Sequence, residues 1–60
     1  MSRVGMEFEE CKEDAFIYME DNPGITEDDL VEEFHGSYSE GETRAAYKEV
    51  KEYLLWEGIW

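Results

Sequence analysis

The residues whose chemistry could support catalysis are one cysteine, one histidine and many carboxylates. Cys11 and His35 could in principle form a nucleophile and its base, but the sequence implies no third group to orient them. Cys11 falls instead on a predicted apolar helix stripe, where a small core residue is expected. His35 precedes Gly36 at a predicted helix end, a position that suits a cationic imidazole. So short a chain leaves little room for the desolvated pocket that tunes a carboxylate pair. We therefore predict that the chain is not an enzyme.

No metal site or cofactor is predicted either. One cysteine and one histidine fall short of the four ligands of a structural zinc site, and the sequence has no glycine-rich phosphate loop. The single cysteine cannot close an internal disulfide, which favours a reducing compartment, and we expect a cytoplasmic protein. No apolar run approaches the length of a transmembrane helix, and the first residues do not resemble a signal peptide. We expect no membrane partner.

Net charge is the strongest feature of the sequence: 17 acidic residues oppose five basic ones, giving −12. Proteins bind nucleic acids largely through lysine and arginine, which neutralise phosphates, so nucleic acid is the less favoured partner. The charge favours a protein partner with a basic surface. The alternative is a solvated acidic surface that has no binding role.

The hydrophobic pattern predicts a single all-α domain over residues 1–60. A flexible segment is expected over residues 1–6, and the first helix from about Glu7 to Asp21. The apolar stripe of this helix consists of Phe8, Cys11, Ala15, Tyr18 and Met19, with Phe16 at its margin. Ile17 points the opposite way, on the polar face.

The second helix is predicted from its capping residue. Asn22-Pro23-Gly24 ends the first helix because proline cannot continue it, and Thr26 can then cap the second. The residues expected to be buried are Leu30, Val31 and Phe34. We expect the helix to close at His35-Gly36, with Gly36 able to take a left-handed conformation.

The third helix begins at a capping box formed by Ser39 and Glu42. It should continue to about Glu57 and stop at Gly58. Its core stripe is Thr43, Ala46, Tyr47, Val50 and Leu54. The prediction is therefore a three-helix fold with short connections.

This order of elements resembles the winged-helix group of helix-turn-helix domains. Asn22-Pro23-Gly24-Ile25-Thr26 leads into a short helix, and the third helix ends in Leu54-x-x-x-Gly58-Ile59, two phrases that are common in that group. The resemblance covers roughly residues 8 to 60 and implies that the third helix is the recognition helix. The chain ends at Trp60, where the first wing strand would begin, so we expect a winged-helix-like core without a full wing.

A DNA-binding role would fall to basic and hydroxyl side chains of the third helix. The candidate recognition stripe is Thr43, Arg44, Lys48 and Lys51. One hypothesis is therefore a dimeric helix-turn-helix protein that binds DNA and regulates transcription. The alternative is local ion pairing, since Glu40–Arg44 and Lys48–Glu52 are each one helical turn apart.

Carboxylates are dense on the second helix and at the start of the third. The candidate partner-binding face consists of Glu27, Asp28, Asp29, Glu32, Glu33, Glu40 and Glu42. Such a surface can imitate the phosphate pattern of a nucleic acid, as it does in small acidic inhibitor proteins, many of them viral. The leading hypothesis is a small protein-binding regulator or inhibitor that acts as a DNA mimic, located in the host cytoplasm if the chain is viral.

Large apolar residues crowd the C-terminal end. The candidate hydrophobic interface consists of Tyr53, Leu55, Trp56, Ile59 and Trp60. A bundle of this size cannot readily bury all five, and exposed aromatic clusters mark interaction sites, of which a homodimer is the simplest. In the alternative, Trp56 and Trp60 fold back over the first helix and close the core. Ile17 could join the same interface.

Overall fold

The computed structural model describes residues 4–60, which form three helices: α1 (Val4–Asp21), α2 (Glu27–Glu33) and α3 (Glu40–Glu57). Within these residues there is no strand. The predicted all-α, three-helix class is confirmed. α3 is central to the packing, because it contacts both α1 and α2.

α1 begins at Val4, three residues before the predicted start at Glu7. No proline lies between these positions, so nothing prevents the helix from extending to Val4. Of the segment predicted to be flexible, residues 4–6 are helical and residues 1–3 lie outside the described residues.

The end of α1 is fixed by a side chain as well as by the proline. The backbone N–H and the Nδ2 amide of Asn22 both donate to the carbonyl oxygen of Tyr18, at 3.0 and 2.9 Å. These bonds satisfy a carbonyl that the helix end would otherwise leave without a partner. Gly24 then adopts a positive φ of 87°, which a residue with a Cβ rarely does, and the chain turns towards α2.

The core lies where the apolar stripes of the three helices meet. Its buried residues are Cys11, Ala15 and Met19 of α1, Leu30 of α2, Phe34 at the end of α2, and Thr43, Ala46, Tyr47, Val50 and Leu54 of α3. All five predicted core residues of α3 are therefore confirmed. Phe8, Phe16 and Tyr18 pack against the edge of this core. Val31, which was expected to be buried, is only half-buried.

The predicted end of α2 is wrong in one respect. Gly36 does not adopt a positive φ; among the described glycines only Gly24 and Gly58 do. The Phe34 carbonyl instead accepts hydrogen bonds from the backbone N–H groups of Ser37 and Tyr38, both at 3.0 Å. The rings of Phe34 and Tyr38 pack with their centroids 5.6 Å apart, and this contact holds the turn over residues 34–38 against the core.

The caps of α3 follow the predicted pattern. The Ser39 hydroxyl accepts from the Glu42 backbone N–H at 3.2 Å. At the other end Gly58 is left-handed, with φ 82°. The N–H of Ile59 bonds to the Leu54 carbonyl, and that of Gly58 to the Leu55 carbonyl, which is the Schellman arrangement. This turn directs the last residue back towards the bundle.

Thr43 provides a test of the core. Its Oγ1 is fully buried and has no hydrogen-bond partner among the described residues; the Cys11 thiol is nearby, but sulfur bonds too weakly to satisfy it. A buried hydroxyl without a partner costs about 1–3 kcal/mol. Thr43→Val keeps the shape and removes that hydroxyl, so we expect the free energy of unfolding in urea to rise by about 1 kcal/mol. A stability equal to or lower than that of the wild type would show that Oγ1 is satisfied. Thr43→Ser, which keeps the hydroxyl and loses a methyl group, is the control and should destabilise.

Candidate functional site

The first turns of α2 and α3 lie side by side, and Arg44 joins them. Its guanidinium contacts three carboxylates: Nη1 lies 2.7 Å from Oε2 of Glu27, and Nη2 lies 3.3 Å from Oδ1 of Asp28. The third is Glu40, one turn earlier on α3, whose Oε2 lies 2.8 Å from both Nε and Nη2. The predicted Glu40–Arg44 pair is confirmed, and two partners from α2 are added to it.

The positive charge of Arg44 is therefore paired with carboxylates of its own chain. Hydrogen bonds to Glu27 and Glu40 raise the pKa of the guanidinium, and Asp28 adds to that effect. Since each bond favours the charged form, the side chain is fixed as a cation among anions. A phosphate that approached Arg44 would have to displace these carboxylates.

The other members of the candidate recognition stripe do not form one basic surface. Thr43 is 1% exposed and belongs to the core. The ammonium of Lys51 lies 5.8 Å from the centre of the Tyr47 ring, a cation–π contact. Lys48 is exposed, and the predicted Lys48–Glu52 ion pair does not occur in the described part of the chain. Of the four expected contact residues, Lys48 alone is exposed and has neither an ion-pair partner nor a cation–π contact among the residues that the structure describes.

Part of the candidate acidic face gathers around Arg44. Glu27, Asp28 and Glu40 meet at the guanidinium. Within the face, Glu27 and Glu42 are half-buried, and the exposed members are Asp28, Asp29, Glu32, Glu33 and Glu40. α2 is seven residues long and five of them are acidic, so its outer surface is almost wholly carboxylate. The Thr26 hydroxyl accepts from the Asp29 N–H at 3.1 Å and fixes the start of this helix. The face presents seven carboxylates against one guanidinium.

The candidate hydrophobic interface separates into two parts. Trp56 is 83% exposed, and about half of the surface of each other exposed member is accessible. We call these four residues the C-terminal patch: Tyr53, Leu55, Trp56 and Ile59. Trp60 behaves differently, because its Nε1 donates to the Met19 carbonyl oxygen at 3.0 Å and its ring packs on Tyr47. Each of the two sequence-based alternatives therefore fits one tryptophan. Trp56 is exposed to solvent, as the interface alternative expects, and Trp60 packs on the core, as the other alternative expects.

Ile17 does not join the C-terminal patch. Its side chain is 60% exposed and lines a groove beside Tyr18, Phe34 and Tyr38, at the edge of α2. Tyr53, Leu55 and Trp56 of the patch line a different groove, on α3. The side chains of Glu52 and Trp56 make no hydrogen bond within the described residues, so their positions follow from the backbone of α3.

The two residues considered for catalysis, Cys11 and His35, differ in their exposure to solvent. Cys11 is fully buried, and burial raises the pKa of its thiol, which disfavours the reactive thiolate. His35 is exposed in the turn after α2. Within residues 4–60 no group of three or more metal-ligating side chains is placed to hold an ion. No helix in the same range is long and apolar enough to cross a membrane.

A tyrosine–aspartate contact that the sequence did not indicate ties α1 to the loop before α3. The Tyr38 hydroxyl donates to Oδ2 of Asp14 at 2.7 Å. This hydrogen bond raises the pKa of Tyr38 to about 12, and partial burial and the negative charge of Asp14 contribute to the same shift. The two residues are 24 positions apart, so helical periodicity could not reveal the contact.

This contact predicts a loss of stability at alkaline pH. In the unfolded chain tyrosine ionises near pH 10, whereas Tyr38 in the folded chain has a pKa of about 12. Both states hold the proton below about pH 10, and above it the unfolded state loses the proton first, so stability falls between about pH 10 and 12. Tyr38→Phe should make this fall shallower in urea denaturation measured across that interval. Tyr53→Phe is the control, because Tyr53 makes no hydroxyl hydrogen bond within the described residues. An unchanged slope in Tyr38→Phe would contradict the assignment.

No protein-family model matches the chain, and no curated protein or solved structure matches it. The winged-helix resemblance therefore stays a prediction. Function has to be inferred from the geometry and charge of the chain's own residues.

Proposed function

We propose that this chain is a protein-binding module of helix-turn-helix type that acts as a regulator or inhibitor rather than as an enzyme. Its acidic face would occupy a basic surface on a nucleic-acid-binding protein and stand in for the phosphates of that protein's ligand. The proposed setting is the cytoplasm, or the host cytoplasm if the chain is viral. The unpaired Cys11 suits such a reducing compartment.

The single observation that supports this proposal most is the engagement of Arg44. In a DNA-binding helix-turn-helix protein, side chains near the start of the recognition helix contact phosphates and base edges. Here that position is occupied by a guanidinium already bound to Glu27, Asp28 and Glu40. The surface around it is therefore anionic where a DNA-binding protein needs cations.

The net charge of the chain also supports a basic protein partner over a nucleic acid. A net charge of −12 on 60 residues repels a nucleic acid at long range and attracts a basic protein. Two of the basic side chains already have partners within the chain. The Lys12 ammonium lies 3.4 Å from a carboxylate oxygen of Glu49, and the Lys51 ammonium lies over the Tyr47 ring. Attraction between a carboxylate face and a basic surface increases the rate of association and makes it depend on salt.

A competition experiment tests the proposal. A fluorescently labelled DNA duplex is first bound to an arginine-rich peptide, and the protein is then added at low ionic strength. We expect the protein to displace the duplex, and displacement to weaken steeply as salt is added, because screening shortens the range of the attraction. Failure to displace the duplex, or displacement that does not depend on salt, would contradict the electrostatic part of the proposal.

The same titration without the peptide tests the rival function. A transcriptional regulator should bind the labelled duplex directly at low salt, and binding should fall in Arg44→Ala and Lys48→Ala. Such a result would replace our proposal with the DNA-binding one. We expect no direct binding by the wild type.

A further inference from the structure

The outward face of α3 carries a regular row of side chains that no described part of the chain covers. The residues follow one another at alternating spacings of four and three, the spacing of the a and d positions of a coiled coil. We call this row the α3 seam: Gly41, Ala45, Lys48, Glu52 and Leu55, with Trp56 at its flank. Every one of them is exposed. Its composition changes along the helix, from small residues through opposite charges to large apolar residues.

We infer that the α3 seam binds a second copy of this chain, with the two α3 helices antiparallel. A two-fold axis midway between Lys48 and Glu52 places Lys48 of each copy opposite Glu52 of the other. In a two-fold interface every contact occurs twice, so the dimer gains two opposite-charge contacts. The same alignment places Ala45 of each copy opposite Leu55 of the other. No second partner is needed to complement this row, because the row complements itself.

Side-chain size fits the same alignment. Leu55 of one copy lies opposite Ala45 of the other, and Gly41, four residues earlier on the same helix, leaves room for the residues that follow Trp56. Apart from its own helical neighbours, no described residue has an atom within 4 Å of a Cβ added at Gly41, so packing against the described part of the chain does not require a glycine there. Glycine is unfavourable inside a helix. The side chains of a second copy would supply a reason for its presence.

The charges beside the seam are already paired within each chain. Near the two-fold axis the copies would bring Glu49 close to Glu49 and Lys51 close to Lys51. The Glu49 carboxylate lies 3.4 Å from the ammonium of Lys12, and the Lys51 ammonium lies over the Tyr47 ring. Both side chains therefore have partners that reduce repulsion across the axis. Lys48 and Glu52, which make the opposite-charge contacts across the axis, have no ion-pair partner within residues 8–60.

This inference does not rest on the proposed function, and salt separates the two. Two copies of charge −12 repel each other, so screening should strengthen self-association. Screening should weaken the binding of a basic partner by the acidic face. The dimer would also cover the α3 surface that a DNA-binding protein inserts into the major groove. One interaction can therefore fail in experiment while the other is observed.

Sedimentation velocity on the full chain tests the inference, over micromolar to millimolar protein and at about 0.15 and 1 M salt, where the Debye length falls from about 8 to about 3 Å. We expect a concentration-dependent dimer that is more stable at the higher salt. Lys48→Glu should weaken it about tenfold, because it creates two like-charge contacts, and Glu52→Lys should do the same. The double variant Lys48→Glu/Glu52→Lys restores opposite charges in this register and should return the dimer to near the wild-type level.

Two controls accompany these variants. Glu13→Lys makes the same charge change as Glu52→Lys at an exposed position on α1, and should not weaken the dimer. Circular dichroism confirms that each variant is folded, as expected for exposed positions. A monomer at every concentration in high salt overturns the inference. A dimer whose stability is unchanged by Lys48→Glu would also overturn it. The same holds if the double variant dimerises no better than the single variants.

Discussion

Replacing Trp60 with alanine is expected to lower the free energy of unfolding by about 3 kcal/mol, the low end of the range for removing a tryptophan from a core. The indole Nε1 donates to the Met19 carbonyl at 3.0 Å, and the ring packs edge-on against Tyr47 with centroids 6.3 Å apart. A domain of this length has roughly 3–5 kcal/mol in all. The variant should therefore retain no more than about 2 kcal/mol of stability, which urea denaturation followed by far-ultraviolet circular dichroism would measure.

Trp56 provides the matched control on the same helix end. Its side chain is 83% exposed, so Trp56→Ala should change the stability of dilute, monomeric protein by no more than about 0.5 kcal/mol. Fluorescence distinguishes the two indoles directly. Trp56→Phe leaves the packed Trp60 as the only indole and should emit at shorter wavelength than Trp60→Phe, which leaves the solvent-exposed one. Equal stability losses in the two alanine variants would contradict the assignment of Trp60 to the core.

Local features of the fold could be predicted from the sequence because their causes are local. The Ser39 cap and the five core positions of α3 follow from spacings within one helix, and all of them occur. Gly58 ends α3 for the same reason, since only a few residue types adopt its left-handed conformation easily. Gly36 shows the limit of this approach. Its sequence context permits a left-handed cap, but contacts of Phe34 and Tyr38 hold the chain in a different turn.

Contacts between distant parts of the chain could not be predicted. Arg44 was expected to pair within its own helix, and its bond to Glu27 spans 17 positions. The bond from Trp60 to Met19 spans 41. Periodicity states which face of a helix is buried, but not which helix covers it or at what height. Both contacts matter for the candidate site: one makes the start of α3 anionic, and the other takes Trp60 out of the predicted interface.

Arg44 holds carboxylates of α2 and α3 together at one place on the surface. Neutralising carboxylates of the acidic face should therefore weaken partner binding more than neutralising carboxylates elsewhere. We expect the double variant Asp29→Asn/Glu32→Gln to displace DNA from an arginine-rich peptide about tenfold less well than the wild type. Exposed ion pairs contribute about 0.2–1 kcal/mol each. Two of them together give about 1.4 kcal/mol, which is tenfold in affinity. Both side chains are exposed and neither contacts Arg44, so the geometry of the face should be kept.

The matched control removes the same two charges from α1. Glu9→Gln/Glu13→Gln has the same net charge as the acidic-face variant, and both positions are exposed. When the two variants are compared at about 0.15 M salt, where the Debye length is about 8 Å, its effect should stay within about twofold, because charges more than a Debye length from the contact are screened. Equal weakening by the two variants would mean that the partner senses only the net charge of −12. A tenfold difference between two variants of identical charge can arise only from where the carboxylates lie on the surface of the molecule.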